Sequence, residues 1–434
     1  MSNTDDTVNQ PAGPYEGFGG KVGRTFAGSE SWWPERPTPG PDAPNIVIIV
    51  ADDLGFADLS CYGRREYETP VLDALARQGT RFTDAYANSA VCTATRVALI
   101  TGRYQYRLPV GLEEPLGQRP IGLPPEHPTM PSLLRKLGYR TSLIGKWHLG
   151  AGASGPSLFG FEHHAGLLIG AVQDYFSWSR TVDGVTATST TYATTAQVDD
   201  ALAWLATAGP RWFLQVAFIA PHQPFHAPPA ALHHVELGES PTDDALFSAM
   251  LQALDTELGR LLAGVDLDHT VVVFIGDNGT DRAVARARRQ RAKSSLYEGG
   301  IHVPLIIAGP GVRAGRVSAI VNATDLYATL IALAGGDEGA VDATSLTPYL
   351  TDPVAPPQRP YIRSDQFHDP PTAADGRTIR DARYKLIDFT LADAELYDLR
   401  ADPTESQPLD AADPAVRAEI DRLMDALDAQ EAGE

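Results

Sequence analysis

Five short apolar runs constrain the fold of this 434-residue chain more than any other feature of its sequence. The runs are Asn45–Ala51, Thr141–Ile144, Trp212–Ala220, Thr270–Ile275 and Val303–Ala308. Strands that are buried on both faces have this composition, and they occur mainly in parallel sheets that helices cover. Segments with helical spacing separate the runs: Thr69–Gln78, Pro131–Leu137, Thr194–Thr207 and Asp243–Leu262. We therefore predict an α/β fold with a large, mostly parallel central sheet flanked by helices.

The composition changes at both ends of this region. Residues 1–43 are rich in Pro, Gly and charged residues and contain the pair Trp32-Trp33. After about residue 335 a Gly/Ala/Pro-rich passage leads to a strand-like run, Tyr384–Phe389, and a final helical segment, Pro414–Gln430. We predict an irregular N-terminal arm (1–43) whose tryptophans dock on another surface, a main domain (44–335), and a smaller C-terminal subdomain (336–434) with a short antiparallel sheet and a helix.

Charge and cysteine content narrow the classes of partner. The net charge of −20 disfavours nucleic acid and anionic membranes, although a local cationic pocket can still bind a small anion. Cys61 and Cys92 permit at most one disulfide bond, and the acidic, polar N-terminus has no signal-peptide pattern. No apolar run approaches the ~20 residues of a membrane span. We expect a cytoplasmic protein without nucleic-acid or membrane partners, and the sequence leaves its oligomeric state open.

Polar residues follow four of the predicted strands. They are Asp52 and Asp53, Lys146 and His148, His222, and Asp277 with Asn278. Ligands of open α/β sheets bind beyond the carboxyl ends of the strands, so these groups are expected at one edge. The three aspartates and the asparagine form an all-oxygen set that suits Ca²⁺, or Mg²⁺ or Mn²⁺, better than zinc. Taken singly, Asp-Asp can be a helix N-cap and Asn-Gly a tight turn.

Cys92 opens a predicted short helix, and Arg96 shares its face four residues later. The free amide groups at such a helix start favour an anion. An isolated cysteine is most often a buried small apolar residue, and Cys61 keeps that interpretation.

The ordered motifs resemble those of the type I sulfatase family, within the alkaline phosphatase-like superfamily. Cys92–Arg96 (CTATR) followed by a Thr-Gly-Arg turn is similar to the first family signature, and Gly138–His148 resembles the second. The chain also has the family's paired aspartates, a Pro-His-x-Pro segment (Pro221–Pro224), an Asp-Asn-Gly and a lysine, Lys293, shortly before Glu298-Gly299-Gly300. The resemblance covers roughly residues 44–406.

This resemblance implies a fold, an activity and a set of roles. The fold is an alkaline phosphatase-like sandwich, and the activity is hydrolysis of a small aryl or alkyl sulfate monoester. The signature cysteine, here Cys92, is converted by a maturation enzyme to formylglycine, whose hydrate is the nucleophile and a ligand of one divalent cation, most favourably Ca²⁺. The remaining residues with implied roles form two sets: the other metal ligands Asp52, Asp53, Asp277 and Asn278, and the catalytic group Arg96, Lys146, His148, His222 and Lys293. Among these, His222 and Lys293 serve the leaving oxygen, and His148 is the base for sulfate release.

Two departures from the family pattern bear on maturation, and two other functions stay open. Ala94 stands where the signature usually has Pro, and Thr95 where it usually has Ser, which affects how efficiently Cys92 is converted. A phosphonate monoester or phosphodiester hydrolase can use the same fold and the same modified cysteine. An inactive binding protein with an unmodified Cys92 thiol is the third interpretation.

Overall fold

A computed structural model of the chain describes residues 21, 25–30, 40, 43–108, 122–124, 127–285, 291–337, 339–340 and 342–432. The chain divides into two compact units, Met1–Thr38 and Pro39–Glu434. In the first, Lys21 and Glu30 form an antiparallel bridge around a 3-10 turn, Phe26–Gly28. Trp32 and Trp33 lie outside the described residues. The domain boundaries at residues 43 and 335 stay predictions.

Ten strands of the second unit form one mixed sheet, and six more form two small sheets. The strands are β1 (Asn45–Ala51), β2 (Thr80–Phe82), β3 (Ala85–Tyr86), β4 (Arg140–Lys146), β5 (His163–Leu167), β6 (Trp178–Val182), β7 (Val185–Ser189), β8 (Trp212–Ala217), β9 (Thr270–Gly276), β10 (Leu305–Ala308), β11 (Gly315–Val317), β12 (Val321–Asn322), β13 (Ile362–Gln366), β14 (Gly376–Arg380), β15 (Tyr384–Phe389) and β16 (Glu395–Asp398). The large sheet has the order β11-β2-β10-β9-β1-β8-β4-β5-β6-β7, and β3 pairs with β12.

The five central strands, β9-β1-β8-β4-β5, run parallel, as the sequence predicts. In β1, Ile46, Ile48 and Val50 pack into one core, whereas Val47 and Ile49 pack into a second core on the opposite face. A strand with two buried faces needs apolar residues at every position, which explains the unbroken run NIVIIVA. The last predicted run, which forms β10, lies antiparallel to β9, so the sheet is mixed at its edge.

Helices cover both faces of the sheet. They are α1 (Pro70–Gln78), α2 (Cys92–Thr101), α3 (Met130–Lys136), α4 (Gly155–Leu158), α5 (Ala193–Leu205), α6 (Asp243–Ala263), α7 (Glu298–Ile301), α8 (Asp325–Leu333), α9 (Thr347–Thr351) and α10 (Pro414–Ala432). Buried residues of α2, α3 and α8 belong to one core, and those of α1, α5 and α6 belong to the other. The four helical segments predicted between the apolar runs correspond to α1, α3, α5 and α6, and the short helix predicted from Cys92 is α2. None of the described helices is long and apolar enough to cross a membrane.

The C-terminal sheet, β13-β14-β15-β16, is antiparallel throughout, as predicted. Helix α10 packs on it: Leu423 and Leu427 are buried with Ile379 of β14 and Leu386 of β15. The predicted strand Tyr384–Phe389 is β15, and the predicted final helix is α10.

Gly145 is the position in the parallel sheet that most clearly requires glycine. It lies beside Ala217 of β8 and Gly166 of β5, with a φ of +101°. A Cβ atom there would collide with the Ala217 carbonyl oxygen and the Gln197 amide. Because Lys146 follows directly, this backbone conformation sets the direction in which Lys146 leaves the strand.

We expect Gly145→Ala to lower the free energy of unfolding by about 3 kcal/mol or more, because a left-handed φ and a backbone collision add together. Gly184→Ala is the matched control, since Gly184 has a φ of +89° but no atom within 4 Å of its Cβ position. That variant should lose only about 1–2 kcal/mol. Urea unfolding of both variants measures the difference, and equal losses would show that the close packing around Gly145 contributes nothing.

Candidate active site

The carboxyl ends of β1 and β9 place four acidic or amide side chains together. Ala51 pairs with Gly276 in register, so Asp52 and Asp277 leave the sheet side by side. The Asp53 backbone N–H donates to Asp277 Oδ1 at 3.1 Å, and Asn278 Nδ2 donates to Asp53 Oδ1 at 2.8 Å. All four residues are buried. The structure therefore brings together the four oxygen-bearing residues that the sequence predicts as metal ligands.

Cys92 meets this cluster from the first turn of α2. Its Sγ lies 3.3 Å from Asp52 Oδ1, 3.9 Å from Asp53 Oδ1 and 3.6 Å from Lys293 Nζ. Ligand atoms of Asp52, Asp53, Cys92 and His222 all lie within 4.8 Å of one another. Helix α2 begins at Cys92, as the sequence predicts, and its first residue contacts the carboxylates.

Three cations contact the three carboxylates. Arg96 Nη2 lies 2.7 Å from Asp277 Oδ2 and 3.6 Å from Asp52 Oδ1. Lys146 Nζ lies 2.7 Å from Asp52 Oδ2, and Lys293 Nζ lies 2.7 Å from Asp53 Oδ1. Since these groups are largely removed from water, the pairs compensate charges that would otherwise be strongly unfavourable. The protein side chains around Cys92 thus carry three negative and three positive charges.

This arrangement shifts the pKa values of the carboxylates and the thiol. Burial raises the pKa of Asp52, but Lys146, His222 and Arg96 outweigh burial and lower the pKa to about 2. Burial and the neighbouring Asp52 raise the pKa of the Cys92 thiol well above its ordinary value. At neutral pH Asp52 is therefore a carboxylate, whereas Cys92 is a protonated thiol and a poor nucleophile.

The two histidines lie at the edge of the cluster. His222 Nε2 is 3.6 Å from Asp53 Oδ2, and its Nδ1 is 2.6 Å from the Gln223 carbonyl oxygen. Because a carbonyl oxygen only accepts, Nδ1 carries the hydrogen of this bond, and Nε2 is the ring nitrogen that faces Asp53. Burial and the nearby Lys146 and Arg96 hold the pKa of His148 well below its ordinary value, so its imidazole is neutral. The backbone of His148 is held by Thr93, whose hydroxyl donates to its carbonyl oxygen at 3.1 Å.

The cluster fits a hard divalent cation. Asn278 Oδ1 is buried and has no hydrogen-bond partner among the described residues, although the Nδ2 of the same amide is bonded. This oxygen and the carboxylates of Asp52, Asp53 and Asp277 form a donor set suited to Ca²⁺ or Mg²⁺. The fit rests on oxygen donors, because a thiol is a softer ligand than such cations prefer.

Close backbone contacts bring Lys293 to the cluster. Gly279, the last residue of the Asp-Asn-Gly motif, donates its N–H to the Gly300 carbonyl oxygen at 2.8 Å. A Cβ at Gly279 would collide with the carbonyl oxygen of Gly299. The Lys293 N–H also donates to the Thr280 carbonyl oxygen at 3.0 Å. The Asp-Asn-Gly and Glu-Gly-Gly motifs therefore pack directly against each other through their backbones.

Sequence reasoning missed the buried ion network behind this contact. Lys385 Nζ of β15 lies 3.1 Å from Glu298 Oε1 and 2.8 Å from Glu405 Oε1. Glu298 also accepts from the Tyr86 hydroxyl at 2.6 Å. The network ties the C-terminal sheet to the segment that carries Lys293. The available signal was the occurrence of Glu298 in the Glu-Gly-Gly motif, while nothing in the sequence marks Lys385.

Cys61 lies apart from the cluster, in the 3-10 turn Ser60–Tyr62. Burial and Asp73 raise the pKa of its thiol to about 12, although Arg81 of β2 opposes them. Arg81 is a cationic neighbour that the sequence analysis did not identify, and it also donates to the Cys61 carbonyl oxygen. Cys61 is half-buried, and the inert role expected for it stays a prediction.

Comparisons with known proteins agree with this geometry. Residues 44–336 match the family model Sulfatase, and residues 290–432 match the model N-sulphoglucosamine sulphohydrolase, C-terminal. Arylsulfatase A of Homo sapiens is 30% identical over 404 residues, covering 83% of this chain and 77% of that protein. Steryl-sulfatase of Mus musculus is 27% identical over 530 residues, covering 90% of this chain and 84% of that protein.

Solved structures share the fold. The crystal structure of Ps i-CgsB superposes with a TM-score of 0.80 at 26% identity, covering 90% of this chain and 93% of that chain. A structure in complex with its substrate D-glucosamine-2-N, 6-O-disulfate has a TM-score of 0.71 at 21% identity, covering 90% of this chain and 98% of that chain.

Together, the sheet, the acidic strand ends and the cysteine at a helix start define a hydrolase built around a charged, buried site. The chain belongs to the sulfatase family. It is a sulfuric ester hydrolase, and the family implies a metal ion and a formylglycine at this site.

We expect the oxygen cluster to bind one divalent cation. Asp53→Asn should weaken Ca²⁺ binding at least about tenfold, because it removes a charged donor from a site that is otherwise balanced. Equilibrium dialysis with elemental analysis measures this without reference to activity. Asp325→Asn is the matched control, since Asp325 is a buried carboxylate whose ion-pair partner is Arg359 and not a group of the oxygen cluster. Stoichiometric Ca²⁺ binding by Asp53→Asn with unchanged affinity would exclude Asp53 as a ligand.

Proposed function

We propose that this chain hydrolyses a small sulfate monoester, aryl or alkyl, to the alcohol or phenol and inorganic sulfate. The nucleophile derives from Cys92 by conversion to formylglycine, and the metal is one divalent cation, with Ca²⁺ favoured. The observation that carries the proposal is the position of the buried Cys92, whose Sγ lies 3.3 Å from Asp52 Oδ1 and 3.6 Å from Lys293 Nζ. A cysteine in such surroundings is unsuited to thiolate chemistry.

The surroundings of Cys92 suit an oxygen nucleophile. When bound, the formylglycine hydrate and the divalent cation supply an oxygen nucleophile beside a positive charge. Asp52 and Asp53 are held in their charged forms by Lys146 and Lys293, so they are ready to ligate a cation. Asn278 contributes a neutral oxygen, which adds a donor without adding charge.

In this proposal, the three cations bind the sulfuryl oxygens of the substrate. Arg96, Lys146 and Lys293 converge on the carboxylate cluster around Cys92, and Lys293 Nζ lies 3.6 Å from the Cys92 sulfur. Because other residues already fix these side chains, they can stabilise developing charge without first reorganising. The same cations orient the ester for attack from the Cys92 side.

The two histidines divide the proton transfers between them. His222, with Nε2 facing the site, and Lys293 lie where the ester oxygen departs and can stabilise or protonate it. His148 is neutral, so it can accept a proton when sulfate is released. We assign the two histidines different roles because their surroundings differ. His148 is surrounded by cations, whereas His222 faces a carboxylate.

The names of the relatives support the substrate class. Arylsulfatase A and steryl-sulfatase are sulfate ester hydrolases by name, and both align with most of this chain. A transient complex with a maturation enzyme that converts Cys92 belongs to the same proposal. The cytoplasmic location stays a prediction that rests on the sequence.

Rates on matched esters test the proposed reaction. On protein whose Cys92 modification is known, we expect 4-nitrophenyl sulfate to be hydrolysed faster than bis(4-nitrophenyl) phosphate and a phenylphosphonate monoester. A preference for either phosphorus ester would replace sulfate hydrolysis with the alternative function. Absence of turnover on all three esters in converted, metal-loaded protein would favour an inactive binding protein.

Substitutions separate the two cysteines and the cations. Cys92→Ala should abolish turnover, whereas Cys61→Ala should keep it, because only Cys92 touches the cluster. Lys146→Ala or Arg96→Ala should lower kcat by about 10²–10³-fold through loss of a fixed charge donor. Steady-state kinetics measure these effects, with circular dichroism to verify folding. Near-normal turnover in a folded Lys146→Ala variant would show that the lysine serves only the packing of Asp52.

A further inference from the structure

One segment between β5 and β6 contacts both histidines of the site. We call residues 168–176 the rim segment. The His148 N–H donates to the Leu168 carbonyl oxygen at 3.2 Å, and a Cβ at Gly170 would lie 2.6 Å from His148 Nε2. At the other end, the Tyr175 hydroxyl donates to the His222 carbonyl oxygen at 2.6 Å. The rim segment thus extends from His148, the predicted base, to His222, which is predicted to act on the leaving oxygen.

An aromatic cluster fixes the far end of the rim segment. The Tyr175 ring lies 4.2 Å from the His226 ring, and the Phe176 ring lies 5.1 Å from Tyr192 and 5.7 Å from His226. His226 belongs to the same loop as His222. The Phe176 ring therefore packs against Tyr192 and against His226 of the loop that carries His222.

The rim segment leaves large apolar side chains in water. Ile169 is 58% exposed and Phe176 is 40% exposed. Among the described residues, few large apolar side chains are this exposed, and two of them fall within these nine positions. Exposed apolar groups beside a polar site are typical of a ligand-binding surface.

The charge of the rim segment disfavours a polyanionic glycan. Residues 165–179 contain no Lys or Arg, and the exposed Asp174 adds a negative charge. On the adjoining loop, Gln223 to His226 also lack Lys and Arg. A sulfated polysaccharide carries further anions beyond the reacting group, and these would meet a neutral to negative surface here.

We propose that the rim segment binds the organic part of the substrate, with Ile169 and Phe176 as specificity-determining residues that select an apolar group such as an aryl or alkyl chain. This inference rests on the proposed function, because the position of the ester oxygen follows from the roles proposed there for His222 and Lys293. The organic part begins at that oxygen, beside the loop that Tyr175 and Phe176 contact. An apolar group there covers Ile169 and Phe176, whereas a sulfated sugar leaves them in water and brings its charges near Asp174.

The test compares Ile169→Ala/Phe176→Ala with wild type, both converted at Cys92 and loaded with Ca²⁺. For 4-methylumbelliferyl sulfate we expect kcat/KM to fall about ten- to thirtyfold, mainly through KM, because the variant removes apolar contact area. The inhibition constant of inorganic sulfate, which occupies only the anion site, should stay within about twofold if the rim contacts the organic part alone. Leu391→Ala is the control, since Leu391 is 61% exposed in the C-terminal region. Thermal unfolding verifies that the variants are folded.

Three results would overturn the inference while leaving sulfate hydrolysis standing. The first is an unchanged KM for the aryl sulfate in the double variant. The second is a parallel rise of KM and of the inhibition constant of inorganic sulfate, which would show a general disturbance of the site. The third is a wild-type kcat/KM for glucosamine 6-sulfate that exceeds the value for the aryl sulfate. Failure of the wild type to hydrolyse any sulfate ester would instead refute the proposed function and the inference with it.

Discussion

The buried pairing of three carboxylates with three cations is the constraint on which the site depends. Asp52, Asp53 and Asp277 would repel one another strongly if they were alone in a region removed from water. Arg96, Lys146 and Lys293 compensate them at distances of 2.7 Å. The charges of these six side chains cancel. A divalent cation brings two positive charges, and an anionic nucleophile and a sulfate monoester bring one negative charge each, so the occupied site is neutral as well. The substrate and the cofactors can therefore enter without leaving an uncompensated buried charge.

The fold supplies this pairing from distant parts of the chain. Parallel strands β1 and β9 deliver the acids, β4 delivers Lys146, and α2 delivers Cys92 with Arg96. Lys293 arrives by a different route, on a segment held by glycine contacts and by the buried Lys385 between Glu298 and Glu405. The C-terminal sheet thus contacts the segment that carries Lys293 through Lys385 and Glu298.

The sequence predicts the central architecture well because its signals are local. An unbroken apolar run such as Asn45–Ala51 identifies a strand with two buried faces, and the polar residues after it mark the edge of the sheet. An apolar run does not indicate whether its strand lies parallel or antiparallel to its neighbours. The antiparallel direction of β10 could therefore not be predicted from the sequence. The Glu298–Lys385–Glu405 network joins Glu298 to residues 87 and 107 positions further along the chain, and no local pattern marks such a pairing. The packing of Gly170 on His148 depends in the same way on the folded geometry. The structure brings the predicted site residues together, while their individual roles stay predictions.

The fraction of Cys92 converted to formylglycine, measured against turnover in the same preparations, tests the central claim most directly. Preparations with different extents of conversion can be made by varying co-expression of a maturation enzyme, and peptide mass spectrometry quantifies the Cys92 peptide in each. If the buried thiol is inert and its oxidised form supplies the nucleophile, aryl sulfate turnover will rise in proportion to conversion and extrapolate to zero in unconverted protein. Full turnover in a preparation whose Cys92 peptide retains its thiol would contradict the proposed mechanism.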